Sequence, residues 1–303
     1  MNDKTITINL VGGLGNQLFE LFAGINLALT SQCKLDVNLS TLKTIGENHE
    51  NTIQTIDFHE LAQKFNYVEK EESRYLYRLQ GKLSRLFPNQ QIKFSRFTRR
   101  YFSPVSGFDP SLLNLSPPMS LSGYFQCWTN FNEVVEKLGD RFELTVNKPT
   151  DWYLDMKQVS NAVRPVMVHL RRGDYELLRN SFGLLSSDYY LRAISNLRPE
   201  LANREIWIFS DSPNEAEKLR SLIVNRNVRV VKAPVESTDF ESLKLLSLGS
   251  AIITANSTFS WWAAMLSNET CQRIVPDKWF KNITDPAELI PKDWLRVKTI
   301  WEK

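Results

Sequence analysis

The run Val168-His169-Leu170-Arg171-Arg172-Gly173-Asp174-Tyr175 brings an imidazole, two guanidinium groups and a carboxylate together where an apolar segment meets a glycine. Arginine keeps its charge and has to be paired when buried, so two guanidinium forks fixed at a strand end suit a diphosphate. The same residues also fit a surface turn in which Arg172 pairs with Asp174. A second cluster, Asn256-Ser257-Thr258-Phe259-Ser260, puts hydroxyls and free N–H groups ahead of Trp261-Trp262-Ala263-Ala264-Met265. At a helix start, donors and dipole together favour phosphate. Ser257 or Thr258 as a plain N-cap is the alternative, and the two do not exclude each other. Trp261 and Trp262 read as core. His169 lies one strand alternation before Arg171, so both can face the same side. Asp211, just past the apolar run Ile206 to Phe209, is placed either to accept paired donors from a base or ribose or to cap the next helix.

Other chemistries lack their residues. There is no GxSxG elbow and no Ser-His-Asp order for covalent hydrolysis. Three histidines and the scattered Cys33, Cys127 and Cys271 form no zinc pattern and suit free thiols in a reducing compartment. No metal ligand set is expected. The net charge of +3 is too mild for nucleic acid as a general partner, and no apolar run approaches the roughly 18 residues of a membrane span. Lys4 is followed by no secretory apolar core with a cleavage site, so a soluble cytoplasmic protein is expected. Basic residues are unevenly spread: from Ser73 to Phe102 there is no acid, and Arg74, Arg78, Lys82, Arg85, Lys93, Arg96, Arg99 and Arg100 are all cationic. Tyr75, Leu76, Leu79, Leu83, Leu86 and Phe87 recur among them at helical spacing, describing a basic amphipathic helix that runs to Pro88. It is either a solvated helix of its own domain or, through residues 74–100, a peripheral contact with an anionic membrane.

The elements that must carry these groups read as α/β. Thr5 to Val11 is a strand, Gly12-Gly13-Leu14-Gly15 a turn, and Asn16 the cap of a helix whose apolar face includes Leu18, Phe19, Phe22, Ile25 and Leu29. The glycines imply close backbone approach, yet neither the dinucleotide spacing nor a GK[ST] follows. Lys34 to Val37 is a second strand, Gly123 to Cys127 another, and Phe131 to Leu138 a helix. The polar stretch Asn147 to Arg164 contains the crossing between domains, expected over residues 1–155 and 156–303, with the last segment placed to pack back on the first. Beyond Pro165, strands at Val166 to Leu170, Ile206 to Phe209, Val228 to Val231, Ala251 to Thr254 and Ile274 to Val275 alternate with helices at Ser187 to Leu197, Glu215 to Leu222, Asp239 to Leu248 and Ser260 to Leu266. Turns after these strands carry Arg171-Arg172, Asp211 and Asn256-Ser257-Thr258, and in open α/β sheets that edge binds ligands.

Four blocks together resemble the α-1,2-fucosyltransferases of inverting glycosyltransferase family 11: Gly12-Gly13-Leu14-Gly15-Asn16-Gln17-Leu18-Phe19, His169 through Tyr175, Phe209-Ser210-Asp211, and Asn256 through Ala263, trailed by Pro276-Asp277-Lys278-Trp279-Phe280. The resemblance implies a GT-B-like fold of two α/β domains facing a cleft, the C-terminal one Rossmann-like with a parallel sheet. It implies GDP-β-L-fucose as donor substrate, no cofactor or divalent metal, and transfer to the 2-hydroxyl of a terminal galactose on an oligosaccharide or glycolipid precursor of a surface polysaccharide. By position, Arg171 or Arg172 would hold the pyrophosphate, His169 and Asp211 would lie near guanosine, and Asn256, Ser257 and Thr258 near phosphate. Gly13 and Gly15 would serve the donor, and Asn16 and Gln17 would sit across the cleft near the reacting centre. Asp174 is the nearer candidate for the acceptor's base and Glu20 the second. Ser212 and Glu20 depart from the family pattern, which commonly has aspartate and glutamine there. The alternatives are transfer to another hydroxyl or from another GDP-sugar, and a non-catalytic sugar-nucleotide or glycan-binding module.

Overall fold

The computed structural model describes residues 4–43, 52–70, 100–139 and 142–302. The basic amphipathic helix expected from Arg74 to Pro88 lies outside them. The chain divides into two compact units, Met1–Thr145 with Pro286–Pro291 and Val146–Asp285 with Lys292–Lys303. Both are α/β with parallel sheets.

The first unit contains β1 (Thr5–Asn9), α1 (Leu14–Thr30), β2 (Lys34–Asn38), the two-residue β3 (Ile56–Asp57), β4 (Phe65–Val68), β5 (Arg100–Phe102), β6 (Met119–Ser122) and α2 (Trp128–Leu138). Its sheet has the order β4-β2-β1-β6-β5, every neighbour parallel. Helix α1 is buried nearly all round, with Gln17, Glu20 and Asn26 enclosed among its apolar residues. Gly24 lets it approach the sheet closely: a Cβ there would stand 3.1 Å from Ile8 and 3.2 Å from Leu35. The core of this sheet holds a row of amides. Asn9 Nδ2 donates to Ser120 Oγ (2.8 Å), Leu121 O (3.0 Å) and Ser122 Oγ (3.0 Å), and Asn38 Nδ2 donates to Asn9 Oδ1 (2.8 Å). Both asparagines are fully buried, and their partners meet the requirement that buried polar groups be bonded.

β7 (Thr145–Val146) sits where one unit gives way to the other. The second unit continues with α3 (Asp151–Val163), β8 (Val166–Leu170), α4 (Ser187–Ser195), β9 (Ile206–Ser210), α5 (Pro213–Leu222), β10 (Val228–Val230), α6 (Asp239–Leu246), β11 (Ala251–Ile253), α7 (Thr258–Met265), β12 (Gln272–Pro276) and β13 (Leu295–Val297). The sheet order is β10-β9-β8-β11-β12-β13, again all parallel. Counted along the chain this is the 3-2-1-4-5-6 order of a doubly wound dinucleotide-binding domain, whose ligand crevice opens where the order reverses. Here that is between β8 and β11. Val166, Val168, Ile206, Ile208, Ala251 and Ile253 are fully buried under α4 and α5, and Trp207, Trp261 and Trp262 are fully buried as well.

Several sequence expectations are corrected. Asn147 to Arg164 is mostly helix: Thr150 caps α3 by accepting from Tyr153 N, and the buried Glu241 of α6 accepts from Thr150 N and Oγ1 at 2.6 and 2.8 Å. The strand expected at Gly123 to Cys127 lies four residues earlier, at β6. Helix α1 starts at Leu14 with Gly13 as its N-cap, so Asn16 is in the first turn.

Candidate active site

In the second unit, β8 ends at Leu170 and the chain turns through Arg171, Arg172 and Gly173. Gly173 has φ +35°, and a Cβ there would meet Asp211 Oδ2 at 2.6 Å, so the turn requires glycine. Asp211, at the end of the neighbouring β9, holds the turn with both oxygens: Oδ1 accepts from Arg172 N (2.8 Å), and Oδ2 pairs with Arg171 Nη1 (2.8 Å). It caps no helix; Ser212 is the N-cap of α5.

The two arginines differ. Arg172 is 3% exposed and bound on every side: Nη2 to Glu302 Oε1 at 2.5 Å, Nε to Glu215 Oε2 at 3.9 Å, and Nη1 to Arg171 O at 3.1 Å. Glu302 is brought to it by main-chain pairing, since Glu302 N donates to Leu184 O and Ser186 N to Ile300 O, both at 2.8 Å. Arg171 keeps about a third of its side chain in solvent, pairs with Asp174 and Asp211, and stands over the Tyr175 ring. Burial works against its charge, but the two carboxylates outweigh that and raise its affinity for the proton. The pairing of the turn is therefore Arg171 with Asp174, where the sequence suggested Arg172.

His169 is buried against the Phe259 ring at 5.3 Å, with Nδ1 lacking a partner. Burial, with the Arg171 charge behind it, pushes its pKa down to about 3. It is a neutral imidazole offering a hydrogen bond, not a cation. Beyond β11 the buried Asn256 fastens loops: its Nδ2 donates to Phe182 O and Trp279 O at 3.1 Å, and its carbonyl accepts from Tyr175 Oη at 2.9 Å. Ser257 then caps α7 by backbone geometry without a side-chain bond, and Thr258 opens the helix half-buried. Arg171, His169, Ser257 and Thr258 therefore gather at the two strand ends that flank the order reversal, β8 and β11.

In the first unit, Gly12 (φ +76°) and the exposed Gly13 lead into α1, while Gly15 is buried. Gln17 is fully enclosed: Nε2 donates to Gly12 O (2.8 Å) and Oε1 accepts from Ile53 N (3.2 Å), which makes it a brace for the turn. Glu20 is equally enclosed, Oε2 accepting from Val11 N at 2.7 Å and Oε1 without a partner. Burial raises its pKa well above the usual carboxylate range, and the Val11 bond opposes this only in part. Asn16 is half-buried and accepts from Gln126 Nε2 at 3.1 Å.

No group of three His, Cys, Asp or Glu side chains gathers among the described residues in a way that could hold a metal. Sequence reasoning missed Glu302, Glu215 and Gln126, which lie far along the chain from the residues they touch; only the fold brings them in.

The model of glycosyl transferase family 11 matches residues 5–295. The chain belongs to that family. Relatives of this family 11 glycosyltransferase include two Escherichia coli proteins: an alpha-1,2-colitosyltransferase, 27% identical over 97% of this chain and 99% of its own, and the O-antigen biosynthesis glycosyltransferase WbnK, 26% identical over 95% and 99%. Among solved structures, the chain is similar to the fucosyltransferase NodZ from Bradyrhizobium (TM-score 0.49, 12% identity, 88% of this chain and 93% of that one). It is also similar to Arabidopsis thaliana FUT1 in complex with GDP (0.48, 13%, 91% and 71%). No helix among the described residues is long and apolar enough to cross a membrane.

Proposed function

We propose that this glycosyltransferase moves L-fucose from GDP-β-L-fucose to the 2-hydroxyl of a terminal β-galactoside, forming an α-1,2 linkage with inversion. The observation that carries this is the placement of Arg171 and the start of α7 at the two strand ends that flank the order reversal of the second unit's sheet. In the reaction the acceptor oxygen bonds to the anomeric carbon as the bond from that carbon to the diphosphate breaks, and the electron pair leaves with GDP. Donors that grip the diphosphate more strongly as its charge grows lower the barrier. Arg171 and the N–H groups and hydroxyls of Ser257 and Thr258 fill that role, while neutral His169 offers a hydrogen bond nearby. Arg172 holds the turn from beneath. Asp174, the more exposed partner of Arg171, is the carboxylate an incoming diphosphate displaces, and once released it can take the acceptor's proton. The α-1,2 linkage and a surface-polysaccharide acceptor agree with the names of the two Escherichia coli relatives. A cytoplasmic enzyme working at the inner face of the membrane fits such an acceptor.

The first of those relatives also favours a second reading, in which the sugar on GDP is colitose, which is fucose without its 3-hydroxyl. Incubation with GDP-fucose, and separately GDP-colitose, against a panel of galactose-terminated acceptors tests both, with the linkage determined by NMR. Transfer from GDP-fucose to the 2-hydroxyl is expected. Transfer from GDP-colitose alone selects the second reading, and GDP binding without product from either donor leaves a binding module.

A further inference from the structure

A recess of about 590 Å³ opens at the amino edge of the second unit's sheet, within the range of small-molecule sites, roughly 300–1,000 Å³. Four cations line it, Arg164, Arg198, Arg204 and Lys244, against one carboxylate, Glu200, an excess of three positive charges. Arg164 stands two residues before β8 and Arg204 two residues before β9. The recess is therefore separated from the turn of Arg171 by the length of β8, five residues or about 16 Å. Helix ends explain part of the charge, because α3 and α6 finish here and cations are favoured beside the carbonyls of a helix C-terminus. Arg204 Nη1 accordingly donates to Val163 O at 3.2 Å. Arg198 Nη2 donates to Thr270 O at 2.7 Å, and its Nε pairs with Glu200 at 3.3 Å. Anchored in this way, both forks keep N–H groups to give: Arg198 Nη1 and Arg204 Nη2 have no partner among the described residues, nor does any nitrogen of the Arg164 guanidinium. Ser160, fully buried in the same wall, also has a hydroxyl without a partner.

We propose that this recess is a second anion site, which binds a small soluble molecule carrying a diphosphate or two phosphate groups, with phosphoryl oxygens accepting from Arg164, Arg198 and Arg204. Two phosphate groups bring roughly three to four negative charges, which matches the excess in the recess. Guanidinium forks give phosphoryl oxygens paired, charge-assisted hydrogen bonds. A soluble ligand fits better than a lipid headgroup, because none of the large apolar side chains exposed among the described residues lines the recess, and an acyl chain would have nothing to meet there. The inference stands apart from the transferase reading, since every residue it uses lies at the sheet edge opposite Arg171 and Ser257.

The test titrates inorganic pyrophosphate by calorimetry into the Arg171→Met protein, in which the proposed donor site no longer competes for the probe. One equivalent is expected to bind. Adding Arg164→Gln should weaken it about tenfold or more, the scale of a lost charge-assisted hydrogen bond. Melting temperature should hold, because that side chain makes no hydrogen bond or ion pair among the described residues. Adding Arg164→Lys instead, which keeps the charge, should retain most of the affinity. Lys232→Gln removes an equal charge from an exposed position beyond β10, outside the recess, and should leave affinity within twofold. The site is overturned if the Arg171→Met protein binds no pyrophosphate, if Arg164→Gln leaves the affinity unchanged, or if Lys232→Gln weakens it as much as Arg164→Gln does, which would be unspecific attraction by net charge. Flotation with phosphatidylcholine vesicles, with and without phosphatidic acid, checks the source of the phosphate: Arg164-dependent capture by the acidic vesicles with no response to pyrophosphate overturns the soluble ligand.

Discussion

Replacing Arg172 with Met keeps the aliphatic stem and removes a guanidinium that meets Glu302, Glu215 and the Arg171 carbonyl. Stripping one partner from a buried ion pair costs about 3–5 kcal/mol. The carboxylates left behind are about a third exposed, so water restores part of that, and roughly 2–3 kcal/mol is the expected loss. For a unit of about 150 residues this lowers Tm by about 5–10 °C. On the proposed reading, replacing Arg171 with Met removes a partly exposed fork that grips the diphosphate and should weaken GDP binding about 100-fold, the scale of one lost charge-stabilising donor, with a smaller change in Tm than Arg172→Met. Thermal melts and GDP calorimetry on both variants separate the roles: Arg172→Met loses Tm with GDP affinity reduced less than tenfold, and Arg171→Met does the reverse. An Arg172→Met protein that melts like wild type while its GDP affinity falls 100-fold would refute the argument, since Arg172 would then be a ligand contact and its carboxylate cage idle.

Glu20 binds a proton more tightly folded than unfolded, so its contribution is full below the unfolded pKa near 4.5 and is lost as pH rises toward the raised folded value. Glu20→Gln, which keeps an oxygen for Val11 N, should therefore raise Tm relative to wild type at pH 8 and have little effect at pH 4; an equal change at both would disprove the proton linkage. Transfer activity should survive EDTA in full, since on the proposed reading arginine supplies the positive charge a metal would bring; loss restored by Mg²⁺ or Mn²⁺ would show the site misassigned. Residues 74–100 should bind anionic liposomes in a salt-sensitive way in flotation, with loss on replacing Arg74, Arg78, Lys82 and Arg85 by Ser; no preference over neutral vesicles would remove the membrane role.

The second unit was the more legible in sequence, and β8 shows why. Val166 to Leu170 is buried on both faces, so the strand is an apolar run broken only by His169 and bounded by Pro165 and Arg171. β13 was missed because Leu-Arg-Val at a sheet edge is short and two of its three residues are exposed. The sequence shows only a polar crossing at α3, because the helix buries little more than Tyr153 and Ser160, which leaves no apolar stripe to detect. The sequence signal for β6 is displaced because Ser120, half-buried, and Ser122, buried, are polar residues turned inward as acceptors for Asn9. At the site, the cluster from His169 to Asp174 was visible as residue types, but the division of labour between Arg171 and Arg172 was not. That division is set by Glu302, 130 positions away. Asp211 shows the same limit: its neighbourhood was legible, but its commitment to the arginine turn depends on β9 lying beside β8.

The amide row through β1, β2 and β6 bears on how the chain finds its register. Apolar alternation alone tolerates a slip of two residues in a parallel sheet, since every side chain returns to the same face. Asn9 does not tolerate it. A two-residue offset of β6 would leave only one of the two serine hydroxyls beside its Nδ2, with Pro118 or Tyr124 in the place of the other, and an offset of β2 would leave its Oδ1 without Asn38. Each stranded group costs about 1–3 kcal/mol in the interior. The row works as a key that admits one alignment of strands separated by more than a hundred residues, and since the turns after β1 and β6 continue from those strands, aligning the sheet during folding also brings Asn16 and Gln126 together.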